Sequence, residues 1–317
     1  MLLSFVIPVL NEQDSLRQLC SEIIASCGSH GHEIIFIDDG SRDQSFPVMA
    51  ELAQADPDIR IVKFRRNFGK AAALQYGFDL ARGEVVFTLD ADLQDNPAEI
   101  PKFLAKLDEG WDLVSGWKQK RRDPLHKVIP SRFFNFVTAL TFRLKLKDYN
   151  CGFKAYRREL VKELHLYGEM HRYIPALANA LGFRIAEIPV EHRKRLFGRS
   201  KYGLERYLRG FFDLLTVKMV TTYIKSPLYL FGRIGLISAL LGTAIIVYMA
   251  VLKIFYYQPV TNRIPLFLGI TMILGGLQFI SLGLISELII NRISPLQKLP
   301  VSVEKTVNLP PGEGQSQ

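Results

Sequence analysis

Two long apolar runs constrain this chain more than any other feature of its sequence. No charged residue occurs from Ile234 to Leu252 or from Ile264 to Ser286, and crossing a bilayer core as a helix takes roughly 20 apolar residues. Core helices of soluble proteins keep a polar stripe; here the interruptions are scattered Ser, Thr and Gly, with Gln278. Both runs are therefore read as membrane spans, at 230–253 and 264–288. Lys253 to Arg263 is too short for a domain, so it makes the turn of a hairpin whose two ends share one side. Arg206, Arg209, Lys218, Lys225 and Arg233 precede the first span, against Lys253 and Arg263 in the turn. Lys and Arg accumulate on the cytoplasmic flank. That places 1–225 in the cytoplasm, the two spans of 226–292 in the plasma membrane as a multi-pass anchor, and the tail, 293–317, in the cytoplasm again. The PPGEGQSQ end of the tail has the composition of a disordered segment.

The residues ahead of the hairpin suffice for one sizeable α/β domain. Lys and Arg number 40 against 31 Asp and Glu, a net charge of +9 that suits an anionic partner. Cys20, Cys27 and Cys151 are an odd number without CxxC spacing, which argues against a disulfide framework or a zinc site. The start, MLLSFVIPVLNE, lacks a basic n-region and a small-residue cleavage site, so it is read as a first strand. Two stretches have the pattern of helices lying on a membrane surface. In 131–147, Phe133, Phe136, Val137, Leu140 and Leu144 share a face among Arg132, Arg143, Lys145 and Lys147; in 204–222, Leu204, Tyr207, Leu208, Phe211, Leu214 and Leu215 do the same.

Short apolar runs at 2–10, 33–38, 59–64 and 84–90 have the character of strands buried on both faces. A helical repeat of Leu16, Leu19, Cys20, Ile23 and Ile24 follows Asp14 as its expected N-cap, and Asn96, Pro97 and Glu99 form the expected opening of another helix. Strands alternating with helices imply a mainly parallel, doubly wound sheet, which binds ligands beyond the carboxyl ends of its strands. Acidic clusters fall there: Asn11 and Glu12 after the first strand, Asp38 and Asp39 after the second, Asp90, Asp92 and Asp95 after the fourth. Asp39-Gly40-Ser41 also suits a plain turn, and Asp95 or Asn96 a helix cap. Asp90-Ala91-Asp92 crowds two carboxylates that repel unless a cation lies between them, and hard oxygen donors beside phosphates suit Mg²⁺ or Mn²⁺.

VIPVLNE at 6–12, IDDGS at 37–41, RRNFGKAAAL at 65–74 and LDADLQDNP at 89–97 resemble, in order, the motifs of family 2 glycosyltransferases of the GT-A fold. The likeness is strongest to polyprenyl-phosphate glycosyltransferases, the bactoprenol glucosyltransferases and dolichol-phosphate mannose synthases, and covers roughly residues 1–290. It implies a Rossmann-like GT-A domain with the C-terminal two-helix hairpin, and inverting transfer of a hexose from a nucleotide-sugar to a polyisoprenyl phosphate. The expected donor is a UDP-sugar, UDP-glucose first, with GDP-mannose, UDP-GlcNAc or a UDP-aminosugar as alternatives; the expected acceptor is undecaprenyl phosphate. The resemblance implies Pro8, Leu10, Asn11, Glu12, Ile37, Asp38, Asp39, Lys70, Asp90 and Ala91 around the nucleotide, and Asp90, Asp92 and Gln94 on the metal. DYNCGFKAYRRE at 148–159 and HRKRLFGRSKY at 192–202 also match segments of the family, Lys201 at a phosphate-contacting lysine. Where many relatives carry Arg after the Gly of SGWKQKRR, this chain has Trp117, which leaves that role among Lys118, Lys120, Arg121 and Arg122.

A phosphate monoester has its second pKa near 6, so the acceptor oxygen is already anionic at cytosolic pH and needs no strong base. The demand falls on cations that hold two anionic groups together. Arg122, Arg132, Arg199 and Lys201 are the candidates on the acceptor side, with Asp92, Arg132, Lys201 and Asp148 as the catalytic set; attraction to anionic lipid is the plainer role for the basic residues. His171 and His192 lack a partner at ligand spacing and are read as structural or positioning residues. Nucleic acid is not an expected partner, and a homo-oligomer such as a tetramer is compatible with this layout. A processive synthase would carry a QxxRW motif, which is absent, and a dehydrogenase would carry GxGxxG after its first strand. A non-catalytic membrane-tethered nucleotide-sugar sensor is the rival from another class.

Overall fold

The computed structural model describes residues 1–118, 137–142, 144–193, 216–219, 227–255, 264–292 and 303–308. The chain divides into two compact units, Met1–Val217 with Leu299–Gln317, and Lys218–Lys298.

In the first unit β1 (Leu2–Val9), α1 (Leu16–Ser26), β2 (Gly31–Asp38), α2 (Ser45–Ala55), β3 (Ile59–Phe64), α3 (Lys70–Leu80) and β4 (Val85–Thr88) alternate as the apolar runs predict. α4 (Ile100–Asp108), β5 (Leu113–Lys118), β6 (Lys154–Arg157), α5 (Arg158–Glu163), α6 (Ile174–Ala180) and β7 (Ile185–Val190) follow. With β8 (Val303–Val307), one eight-stranded sheet runs β7-β5-β6-β4-β1-β2-β3-β8. β1 pairs in parallel with β2 and β4, β2 with β3, and β5 with β7; β6 is antiparallel to both its neighbours. Leu3, Phe5, Ile7, Ile34, Phe36, Ile61 and Phe87 are buried on one face with α1, α2 and α4, while Val6, Ile35, Ile37 and Val62 are buried on the other, where Val6 packs against Gly77 of α3; a parallel sheet requires this two-sided burial.

Several local expectations change. α1 begins at Leu16 with Ser15 at its N-cap rather than Asp14, and Ser15 Oγ donates to the Glu12 carbonyl instead of capping the helix. Asn96 does cap, accepting from Ala98 N at 3.1 Å, but over a 3₁₀ turn, Pro97–Glu99; Glu99 pairs with Lys102 rather than completing a capping box. Residues 137–142 are helical while 144–147 are not. There the Glu187 carboxylate accepts from Lys147 N and Asp148 N at 2.9 to 3.0 Å, ending the helical pattern earlier than hydrophobic spacing implies.

β8 (Val303–Val307), in the stretch read as tail, pairs antiparallel with the β3 edge. At its end Asn308, at φ 58°, donates from Nδ2 to the carbonyls of Ala53 (2.8 Å) and Ile59 (2.9 Å).

Near the amino ends of the strands, the buried Glu33 carboxylate accepts from Arg60 Nη1 at 2.8 Å, Arg82 N at 2.7 Å and Ser4 Oγ. Gly83 N donates to Ser4 Oγ at 2.7 Å. These bonds satisfy a charge pair that burial alone would penalise and fix the α3–β4 turn, while the opposite end of the sheet stays open for ligands.

The second unit holds α7 (Pro227–Phe255) and α8 (Ile264–Arg292). Both are long and apolar enough to cross a membrane, with mean hydropathies of 2.3 and 2.0. Gly235 and Gly242 lie seven residues apart on α7, as do Gly269, Gly276 and Gly283 on α8. A Cβ on Gly235 would meet the Gly276 carbonyl at 2.5 Å, and one on Gly242 the Gly269 carbonyl at 2.5 Å. Such glycines let helices approach closely where lipid removes the hydrophobic drive to associate, and Ser238 Oγ adds a bond to the Met272 carbonyl at 2.8 Å.

Candidate active site

The loops at the carboxyl ends of β1, β2 and β3 are tied together by their own polar side chains. Asn11, at φ 52°, donates from its backbone N to Ser41 Oγ (2.9 Å) and accepts from Arg42 N (2.8 Å); Glu12 N donates to Ser45 Oγ at 2.9 Å. Gly40, at φ 77°, lies so close to the Arg66 backbone that a Cβ would come within 2.7 Å of it. Asp38 is fully buried and accepts from Ser41 N at 2.7 Å, the turn-forming role that IDDGS also allows. Asp39 accepts from Phe68 N (2.6 Å) and Gly69 N (3.0 Å), clamping the loop that leads into α3. Burial pushes the Asp39 carboxyl up to about 6, against those two amides. Pro8 and Ile37 lie within β1 and β2, and Leu10 just beyond β1, so the residues assigned to the nucleotide from this side share one rim.

From the first residue of α3, Lys70 Nζ reaches across to donate to Asp90, just past β4. Burial opposes the Asp90 charge, but Lys70 outweighs it, with help from Lys118 and Lys154, and holds the carboxyl at about 2. Its other flank is backbone: a Cβ on Gly152 would meet Asp90 Oδ2 at 2.7 Å, and the Gly152 carbonyl accepts from Thr88 Oγ1 at 2.8 Å. Asp92 and Gln94 are half-buried, separated by Leu93 at φ 60°. A leucine in this left-handed conformation carries about 1 to 3 kcal/mol of strain. Asp92 Oδ1 accepts from Gln94 N at 3.2 Å.

Asp92 and Gln94 supply the hard oxygen donors that Mg²⁺ or Mn²⁺ prefers, so the residues present fit a divalent ion. Asp90, expected to share it, is engaged by Lys70. Among the described residues, three His, Cys, Asp or Glu ligand atoms lie within 4.8 Å of one another only at His32, Asp56 and Asp58, at the start of β2 and β3 and therefore at the other end of the sheet.

The β5–β6 side brings the candidates Lys118, Asp95 and Asp148 together with Lys154, a charge not singled out from the sequence. Lys118 ends β5; burial disfavours its charge, but Asp95, Cys151, Asp90 and Asp148 keep it firmly protonated. Lys154 is buried in β6 and donates to the Cys151 carbonyl; burial lowers its pKa. Both Asp95 oxygens are buried without a hydrogen bond, and burial raises that carboxyl. Asp148 is buried and accepts from Asn150 N at 3.1 Å. Trp117 lies under the Lys147 ammonium, which stands 4.1 Å from its ring centre. His171 is held neutral by burial and by nearby Lys70 and Arg172. His192 brings Nε2 within 3.4 Å of Gln94 Nε2, while Arg193 N donates to the Gln94 carbonyl at 2.9 Å. The site thus gathers Lys70, Lys118, Asp90, Asp92, Gln94, Asp95 and Asp148. Arg122, Arg132, Arg199 and Lys201 lie outside the described residues. A signal for Lys154 and Gly152 was present only as the GFK of the 148–159 segment.

Comparison with known proteins identifies the family and the fold. Residues 4–165 match the model of glycosyl transferase family 2. The chain is 36% identical over 294 residues to a dodecaprenyl-phosphate galacturonate synthase of Rhizobium johnstonii, covering 90% of this chain and 87% of that one. It is 38% identical over 290 residues to an undecaprenyl-phosphate 4-deoxy-4-formamido-L-arabinose transferase of Klebsiella pneumoniae, with the same coverage. Glucosyl-3-phosphoglycerate synthase of Mycobacterium tuberculosis, solved with UDP, shares the fold at a TM-score of 0.54 and 21% identity, over 69% of this chain and 79% of that one. The same enzyme has been solved with Mn²⁺ and UDP-glucose. A GT-A sheet with its DxD at the end of β4, and relatives spanning nine-tenths of the chain, make this protein a glycosyltransferase that belongs to family 2.

Proposed function

We propose that the protein transfers a sugar from a UDP-sugar to a polyprenyl phosphate, undecaprenyl phosphate first, at the cytoplasmic face of the plasma membrane. The observation that carries this reading is the 36–38% identity, over nine-tenths of the chain, to two enzymes whose names both specify a polyprenyl-phosphate acceptor. Their sugars are galacturonate and 4-deoxy-4-formamido-L-arabinose, so a uronic acid or a 4-amino-pentose derivative replaces glucose as the favoured donor sugar. UDP is favoured over GDP because the structural neighbours sharing this fold carry UDP.

The residues divide the work by charge. Asp92 and Gln94 would hold the Mg²⁺ or Mn²⁺, which when bound supplies Lewis-acid neutralisation of the departing diphosphate. Asp39 and Glu12 hold the nucleoside end, and Lys70 keeps Asp90 ionised beside the phosphates. The acceptor oxygen is already an anion, so positioning by Arg132, Arg199 and Lys201 replaces general-base catalysis.

The test offers UDP-galacturonate, UDP-4-deoxy-4-formamido-L-arabinose and UDP-glucose with undecaprenyl phosphate in neutral detergent, with lipid-linked product and released UDP both measured. Product from one of the first two, abolished by EDTA and by Asp92→Ala, is expected. Arg132→Ala or Lys201→Ala should weaken acceptor use by roughly ten- to a hundredfold, the loss of one charge-assisted contact, with donor binding retained. No product from any UDP-sugar would sink the assignment; product from glucose alone would restore the glucosyl reading.

A further inference from the structure

A second concentration of charge adjoins the nucleotide rim and shares Leu10 and Asn11 with it. A cleft of about 460 Å³ is lined by Asn11, Ser41, Arg42, Lys63, Arg65 and Arg66, with Leu10, Gly40, Phe64 and Asn67 completing its wall. Its volume is in the range of small-ligand sites. Arg42, Arg65 and Arg66 are exposed, and none forms an ion pair with a described carboxylate. The acids nearest in sequence do not pair with the three arginines, although buried Asp38 lies opposite Lys63 and feels its charge. Asp38 accepts from Ser41 N, Asp39 from Phe68 and Gly69 N, and Asp43 from Ser45 N at 3.0 Å.

Two features preorganise these cations. The Arg66 guanidinium lies 4.8 Å over the Phe68 ring centre, a cation–π contact that restrains it. Strand β8 places Lys305 directly opposite Lys63, and both ammonium groups lie over the Phe46 ring, at 5.7 and 5.2 Å. Like charges directly opposite across strands are unfavourable, so the returning tail brings a fifth cation to a rim that already holds four. Guanidinium forks match phosphate oxygens in pairs, which favours phosphate over a single carboxylate.

We propose that this cleft, bounded by Arg42, Lys63, Arg65 and Arg66 and reinforced by Lys305, is an anion site that takes a phosphate group of a ligand other than the sugar donor. The phosphate belongs either to an acidic lipid headgroup or to a soluble phosphorylated compound.

The probe is inorganic phosphate, titrated onto the full-length protein in neutral detergent with saturating UDP and Mg²⁺ and followed by its ³¹P line width. Broadening that persists under UDP is expected, with affinity falling about tenfold or more in Arg42→Ser/Arg65→Ser while UDP affinity, measured in parallel, stays at the wild-type value. Absence of broadening under UDP, equal broadening in the variant, or a matching loss of UDP affinity in the variant would each overturn the proposal, the last by making the cleft part of the nucleotide site. If UDP does not bind at all, the donor assignment fails, yet the comparison of wild type and variant still reads the cleft. Repeating the titration in nanodiscs separates the sources. Phosphate displaced by phosphatidylglycerol but not by phosphatidylcholine identifies a lipid headgroup, and binding equal in both identifies a soluble compound.

Discussion

Asp90 shows how a single backbone position can govern a site. Its carboxylate is gripped on one side by Lys70 and on the other faces Gly152, where a Cβ would stand 2.7 Å from Oδ2. Gly152→Ala should therefore push Asp90 out of its bond to Lys70 rather than unfold the sheet. The expected outcome is at least tenfold weaker donor use with unchanged far-UV circular dichroism; wild-type donor kinetics in this variant would show that Asp90 has room to move. Asp39 makes a pH-dependent prediction. Its folded carboxyl titrates at about 6 against an ordinary 3.8, so between these values the native state holds more protons than the unfolded chain. Stability from this group is then present at low pH and lost as pH rises toward 6, up to about 3 kcal/mol. Asp39→Asn should flatten that decline, which thermal melts of both proteins from pH 4 to 7 would reveal; parallel curves would refute it.

At the scale of elements, β8 carries the clearest prediction. Truncation after Pro300 removes its ladder and both Asn308 bonds, leaving β3 as an exposed edge. Amide exchange along Ile61–Phe64 should accelerate while β1, flanked on both sides by β2 and β4, keeps its protection; unchanged exchange along β3 would mean the strand adds nothing to the sheet. This strand also shows where sequence reading stops. IRIVKF was legible because its apolar residues carry their own signal, and the observed strand, Ile59–Phe64, has the expected bounds. Val303–Val307 alternates with Glu304, Lys305 and Thr306, and its pairing partner lies more than 200 residues earlier, so nothing local announces it. β6 is likewise hidden, four residues with Lys154 and Arg157 at its ends. The DxD and IDDGS clusters were legible as chemistry. The burial of Lys118 and Lys154 around Asp90 was not, because it depends on β5 and β6 being brought beside β4.

The architecture of the whole molecule limits how it can meet a membrane. The chain leaves the sheet-bearing unit near Val217, runs through two helices, and returns at Leu299 to complete the same sheet with β8. A chain that starts and ends on one side crosses an even number of times, which suits the proposal that α7 and α8 form a hairpin. The basic excess before Ile234 is the ground on which we propose that the sheet faces the cytoplasm. Single cysteines can test this with little background, because Cys20, Cys27 and Cys151 are free but buried. Burial pushes their thiols up to about 11, 11 and 12, Asp56 adding to the effect at Cys20 and Asp95 at Cys151, which keeps the reactive thiolate scarce. In intact cells, a membrane-impermeant maleimide should label Thr261→Cys and leave Gln315→Cys unlabelled until the cells are opened. Labelling of Gln315→Cys alone would invert the topology and put the DxD where cytosolic nucleotide-sugars are absent. Labelling of both positions in intact cells would mean that one of the two helices does not cross, and since β8 must still reach β3, the hairpin model would fail with it.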